Sequence, residues 1–517
     1  MITGLVGALY YVAAMSIDRV DPEFRAIALT TLADAALTRA RELGAEHADV
    51  RVERLASQTI SLRDGQVTEV VDDVTLGVAV RVLVDGTWGF ASHVELTPER
   101  AAATAARAVQ VARTLRPVAL ERVERADEPV HTDAVWVSAY EIDPLTVPTA
   151  DKVALLTEWS QRLLAADGVD HVRAGLAQVR ECKFYADTAG TSTTQQRVRV
   201  GPNVLATTVD RAAGGASVSI VSKPPAGRGW EYLTGTGWDW DTELALIPEL
   251  LAEKVKAPSV QAGAYDLVID PTNLWLTIHE SIGHATEYDR AIGYEAAYAG
   301  TSFATPDQLG TLRYGSDLMH VTGDRTVPHG LATVGYDDDG VATTEWDLVR
   351  DGTLVGYQLD RTFAPRLGLE RSNGCAFADS PHHVPIQRMA NVSLRPDPAR
   401  DTSTGELIAG VDRGIYVVGD KSWSIDMQRY NFQFTGQRFF RIEDGKLAGQ
   451  LRDVAYQATT TNFWGSMDAV GGKSTWLLGG AFNCGKAQPG QVAPVSHGCP
   501  SARFRGVNVL NTQQEGQ

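Results

Sequence analysis

The stretch YDLVIDPTNLWLTIHESIGHATEYD, residues 265–289, decides how the second half of this chain is read. Its first six residues read as a buried strand, and a helix starts directly after them. The Asp270 side chain can accept free backbone N–H groups, and Pro271 suits the first helical position. At about 100° per residue, Leu274, Ile278 and Ile282 stack on one apolar face. With His279 set at zero, Gly283 comes at about 40°, Glu287 at about 80°, Glu280 at about 100° and His284 at about 140°. The histidines are five residues apart, whereas an HExxH metal helix has four and an angle of about 40°. Bringing both to one ion requires either a π-bulge at Ser281–Gly283 or an ion resting over Gly283, which has no side chain to block it. The bland alternative is a core helix that carries His, Glu and His at its polar edge.

If the helix holds a metal, the chemistry is that of zinc. Neutral imidazoles are zinc ligands, a third protein ligand leaves one position open, and Glu280 is placed to take a proton from water and return it to a leaving amine. Spacing leaves the third ligand open. Glu287 follows His284 by three residues, Cys484 lies in the Gly-rich WLLGGAFNCGKAQPGQ, and SHGCPSARF presents His497 and Cys499. An isolated cysteine in a glycine-rich turn can approach a metal without backbone clash. Cys182 and Cys375 read as small buried hydrophobes.

Outward from this helix, the chain divides into an extension (1–21), an N-terminal α+β domain (22–118), a middle α+β domain (119–261) and a β-rich C-terminal domain (262–517). In the N-terminal domain an amphipathic helix over 22–43 precedes short alternating strands such as ADVRVERLA and QTISLRDG. A helix starts at Pro98, capped by Thr97. The middle domain repeats the order helix, strands, helix, with helices over 150–167 and in DTELALIPELLAEKVKAP. The expected class is α+β: helix and antiparallel-sheet units, then a β-rich domain carrying one metal-binding helix.

The length of 517 residues suits two to four folding units, and 44% apolar with 21% charged residues is ordinary globular material. The formal charge of −17 and the lack of any Lys/Arg run argue against nucleic-acid and anionic-membrane partners. Four widely spaced cysteines argue against a disulfide framework and for a reducing compartment. The uncharged opening MITGLVGALYYVAAMSI has no basic start and is shorter than a bilayer span, so it reads as an extension ahead of Met15.

Three further motifs weigh less. GAFNCGK, residues 480–486, fits GxxxxGK, but Ala487 stands where a phosphate loop has Ser or Thr, and Pro489 falls in the helix that should follow. YDDDG, residues 336–340, reads as a solvated hairpin turn rather than a calcium loop. His382, His383 and Arg388 fall near the expected cleft and receive no role.

HESIGHATE, GGAFNCGK and SHGCPSARF, in this order and at this distance, resemble the TldD branch of the TldD/PmbA proteins, also called modulators of DNA gyrase, over nearly the whole chain. The resemblance implies an HExxxH metallopeptidase in which His279, His284 and Cys484 bind Zn²⁺ and Glu280 is the general base. It also implies a cytoplasmic enzyme acting on unfolded peptides, paired with a TldE/PmbA-type partner or a second copy of itself. PmbA-type chains lack the helix motif, which places this chain on the catalytic side. A sheet edge among the C-terminal strands would suit such substrates, because main-chain pairing tolerates many side chains.

Overall fold

The computed structural model describes residues 17–210, 216–222 and 226–513. Residues 1–16 of the expected extension 1–21 therefore lie outside the described residues. The α+β class holds.

The first long strands, His47–Arg63 and Gln66–Val84, form one antiparallel hairpin where the sequence suggested several short segments. His47–Arg63 also pairs along its other edge with His171–Asp187, so segments from both sides of residue 119 share one seven-stranded sheet. Helices Leu29–Glu42 and Pro98–Leu115 cover one end of it through small residues: Ala33, Ala36, Ala40, Ala101, Ala105, Ala108 and Ala112 are all buried. That approach is close enough that a Cβ on Gly89 would lie 2.1 Å from the Ala108 carbonyl oxygen. The helix expected over 22–43 is interrupted between Pro22–Arg25 and Leu29–Glu42. The other end is covered by helices Thr149–Leu164 and Trp240–Lys256, whose Trp159 and Trp240 stack with ring centroids 4.5 Å apart.

The C-terminal strands close on themselves. In order, Arg413–Ile425, Gly263–Ile269, Ala502–Asn511, Val454–Thr459 and Asn431–Glu443 pair side by side, and the last pairs back with the first. Such closure removes sheet edges. Helix Pro271–Ile278 leaves the Gly263–Ile269 strand and is pinned against this barrel by polar groups. Asn273 donates to the carbonyls of Gly419 and Thr435, and the Tyr456 hydroxyl sits 2.7 Å from Thr277 Oγ1 and 2.9 Å from Asn273 Oδ1. A buried asparagine needs such partners, and here they fix the helix on its axis. The hairpin of Leu477–Lys486 and Gln491–Cys499 packs across the helix.

YDDDG is a turn, but it is not solvated. Asp337, Asp338 and Asp339 are all buried. Asp338 accepts from Lys183 at 2.8 Å, Asp339 pairs with Arg81, and Asp337 accepts the backbone N–H groups of Asp339, Val341 and Ala376. Such partners offset the cost of burying these groups, and those of Asp338 and Asp339, Lys183 and Arg81, come from the N-terminal sheet, far off in sequence. Among the described residues no helix is long and apolar enough to cross a membrane.

Candidate metal centre

The helix that begins at Pro271 does not run on to residue 289. It is α-helical to Ile278, and His279–Gly283 then forms a π turn in which the His284 N–H donates to the His279 carbonyl at 3.0 Å. An i→i+5 bond absorbs one extra residue, so side chains five apart come to one side. The two imidazole centroids are 4.6 Å apart. Gly283 serves a different purpose from the one its angle suggested. A Cβ there would lie 2.5 Å from Met389 Sδ and 3.5 Å from His497 Cε1, so the bare glycine admits protein side chains and leaves no room for an ion.

Facing the histidines is Cys484, on the Leu477–Lys486 strand rather than in a turn, just past a register irregularity that begins at Ala481. Its Sγ lies 3.5 Å from His284 Nε2. Ligand atoms of His279, His284 and Cys484 all fall within 4.8 Å of one another, and all three residues are buried. Of the other candidates, Cys499 is turned away toward the Pro271 carbonyl, 3.7 Å distant, in the core. Cys182 and Cys375 are buried elsewhere, and burial pushes both thiols up to about 12.

The network behind the histidines assigns their protons. His497 Nδ1 is 2.8 Å from the Val392 carbonyl, which can only accept, so His497 carries its proton on Nδ1 and offers a lone pair on Nε2. His279 Nδ1, 2.7 Å from that Nε2, donates to it, and His279 Nε2 is left without a proton. Likewise the Glu287 carboxylate accepts from His284 Nδ1 at 2.8 Å, which leaves His284 Nε2 bare toward Cys484. Glu287 is itself held by Lys486 Nζ at 3.1 Å and Arg290 Nε at 3.1 Å. Partners of this kind set the tautomer and orientation of metal-binding histidines. His497 and Glu287, both candidate ligands on spacing, thus stand one layer behind.

Burial lowers the pKa of His279 and of His284, keeping both imidazoles neutral near pH 7. Burial pushes the Cys484 thiol up, and a positive charge on His284, present only below that ring's own lowered pKa, and the Arg388 guanidinium oppose it. Arg388 also donates to the Cys484 carbonyl at 2.5 Å, fixing that stretch of strand. Lys486, the lysine of the GxxxxGK pattern, is fully buried on Glu287, Asp289 and Gln387. A strand carries this segment where a phosphate loop needs a turn opening a helix, so the lysine is spent inside the protein.

Glu280 lines the same cleft, about 440 Å³ in volume, with His279, His284 and Cys484. Its Oε2 accepts from Arg429 Nη1 at 2.8 Å, and Arg429 Nη2 donates to the Ala299 carbonyl at 3.1 Å. Arg429 sits at φ +64° in the turn between strands Arg413–Ile425 and Asn431–Glu443. Asp426 braces the turn by accepting the N–H groups of Gln428, Tyr430 and Asn431. No sequence motif marks Arg429, which lies 149 residues from its partner.

The donor set fits zinc. Bond lengths of about 2.1 Å to nitrogen and 2.3 Å to sulfur at a tetrahedral angle put N and S about 3.6 Å apart, close to the Cys484–His284 separation. Three protein donors leave a fourth position toward the cleft, the pattern of catalytic rather than structural sites.

Comparison with known proteins gives the family. Residues 262–511 match the PmbA/TldA metallopeptidase C-terminal domain, and residues 48–112 match PmbA/TldA metallopeptidase domain 1. A metalloprotease of Methanothermobacter thermautotrophicus is 29% identical over 90% of this chain and 96% of its own length. A zinc metalloprotease TldD homolog of Saccharolobus solfataricus is 23% identical over 92% and 98%. The crystal structure of TldE from Thermococcus kodakarensis, 15% identical, covers 92% of this chain and 98% of its own with a TM-score of 0.68, a likeness of fold. With residues 48–112 and 262–511 matched and a two-histidine, one-cysteine cluster formed between the π turn and the facing strand, the protein belongs to the TldD/PmbA metalloprotease family.

Proposed function

We propose that this chain is a zinc peptidase that hydrolyses peptide bonds of unfolded peptides, with His279, His284 and Cys484 as the zinc ligands and Glu280 as the general base. One observation carries the reading: the two proton-locked imidazoles and the thiol converge at the wall of a cleft that Glu280 shares. Zinc held there would supply Lewis acidity, polarising a scissile carbonyl and acidifying water.

The chain's own residues do the rest. Glu280 accepts the proton of the attacking water and delivers it to the leaving amine, and Arg429 holds the carboxylate at the cleft wall. The Leu477–Lys486 strand pairs only with Gln491–Cys499 among the described strands, and its residues Gly480–Gly485 form the opposite wall of the cleft. An extended peptide can add along such a strand through its main chain, which suits unfolded substrates. We further propose that a TldE/PmbA-type partner subunit, or a second copy of this chain, covers the cleft, and that the location is cytoplasmic. The experiment is cleavage of a denatured protein by the wild type and by Glu280→Gln, with bound zinc measured in both. A zinc-loaded Glu280→Gln that still cleaves at the wild-type rate removes the general-base role, whereas a zinc-loaded wild type that binds the denatured protein without cleaving it leaves a peptide-binding subunit as the alternative.

A further inference from the structure

Beside the metal cleft lies a second cavity of about 360 Å³. The two share Trp275, Asp420 and Gly480 on their walls. Trp275 is the partition. Its indole lies parallel to the His497 ring at 6.2 Å, and its centroid is 6.4 Å from that of His279. A Cβ on Gly479 would come within 2.3 Å of the indole, so the glycine lets the strand press directly on it. The ring is clamped from two sides and makes a fixed wall.

The remaining walls combine Trp238, Tyr416, Phe440 and Leu447 with the charged Glu243 and Arg438, and Leu447 is 47% exposed at the rim. One of the carboxylates on its wall is already occupied: Asp270 accepts from the Tyr416 hydroxyl at 2.6 Å and from the Thr272 N–H at 3.0 Å. This cavity offers aromatic and aliphatic surface with a guanidinium, Arg438, and carboxylates on its wall, opening beside a catalytic cleft and wide enough for a large side chain.

The strand Leu477–Lys486 serves both spaces. Leu477–Gly480 line the second cavity, and Gly480–Gly485 line the cleft. At about 3.3 Å per residue, Gly480 and Cys484 are separated by about 13 Å, and a substrate strand running alongside covers that distance in about four residues.

We propose that this cavity is an anchor pocket for an aromatic side chain of the substrate, about four residues from the bond that is cut. The inference rests on the peptidase reading above and adds a preference to it. Main-chain pairing along the strand tolerates any sequence, whereas the pocket rewards one aromatic residue at a set distance. Short peptides do not reach it.

The test is a set of twelve-residue, internally quenched peptides of Gly, Ala and Ser with one Phe moved through every position. Cut sites are read by mass spectrometry. The expected result is a kcat/KM about tenfold above the Phe-free peptide when Phe lies three to five residues from the cut bond, on one side only. In Leu447→Trp, which narrows the mouth, the ratio of Phe-containing to Phe-free peptide falls to within about twofold. A ratio that does not depend on the position of Phe, or that Leu447→Trp leaves unchanged, overturns the anchor. If no peptide is cut, the peptidase reading fails separately, and fluorescence anisotropy of the same peptides reads the pocket instead. Tighter binding of the Phe-containing peptides, lost in Leu447→Trp, then supports the anchor, and equal Kd values overturn it.

Discussion

His279 Nδ1 lies 2.7 Å from His497 Nε2, across 218 residues of sequence, and this contact decides which nitrogen of His279 faces the cleft. Replacing His497 by Leu removes the acceptor and frees the His279 ring to rotate or change tautomer. Zinc affinity, measured by competition with a chromophoric chelator, should fall about 10- to 100-fold. His497→Gln keeps an oxygen able to accept and should recover part of the loss. Equal affinity in all three proteins would mean that the contact does not orient the ring.

Arg429 is the counterpart for Glu280. Arg429→Ala leaves the general base without its partner, and kcat should drop about 10- to 100-fold with bound zinc unchanged. Arg429→Lys keeps the charge but cannot reach Glu280 and the Ala299 carbonyl with two forked donors, so it should fall between. Steady-state kinetics on one denatured substrate, with zinc analysis alongside, gives the comparison.

Gly283→Ala places a methyl group 2.5 Å from Met389 Sδ. Overpacking of this kind costs about 1 to 3 kcal/mol, read as a lowered denaturation midpoint in urea. Met389→Ala in the same chain removes the clashing atoms and should make the added methyl group at 283 nearly neutral against the Met389→Ala background. A cost that persists in that background would place the strain in the π turn itself.

Much of this site is legible in sequence. The five-residue spacing requires either a bulge at Ser281–Gly283 or an ion over Gly283, and the π turn His279–Gly283, which contains those residues, is the first of these. Asp270 and Pro271 mark the helix start because capping is local. Spacing could not choose among Cys484, Cys499 and Glu287, since the choice depends on which face of a distant hairpin meets the helix. Arg429 carried no signal at all, being one arginine in a polar turn. The buried YDDDG was misread for a related reason: its partners, Arg81 and Lys183, come from a different sheet. Local rules see three carboxylates and infer solvent.

Glu53 makes that junction sensitive to pH. It is fully buried, neither carboxylate oxygen has a hydrogen-bond partner, and burial raises its pKa from 4.5 to about 7, against the opposing pull of Lys183 and Arg51. The folded state therefore binds this proton more tightly than the unfolded state. Its contribution to stability is complete below about pH 4.5 and is lost as the pH rises toward 7. Glu53→Gln should flatten the decline in stability over that window and raise the denaturation midpoint at pH 8 relative to wild type. Parallel stability profiles for the two proteins would contradict the assignment.

The central claim is that one thiol and two imidazoles hold a zinc ion, and metal analysis of the purified protein tests it most directly. The account predicts about one zinc per wild-type chain, with stoichiometric zinc lost in Cys484→Ala and in His284→Ala and retained in Cys499→Ala. A wild-type chain free of zinc, or a Cys484→Ala chain that keeps its full complement, would contradict it.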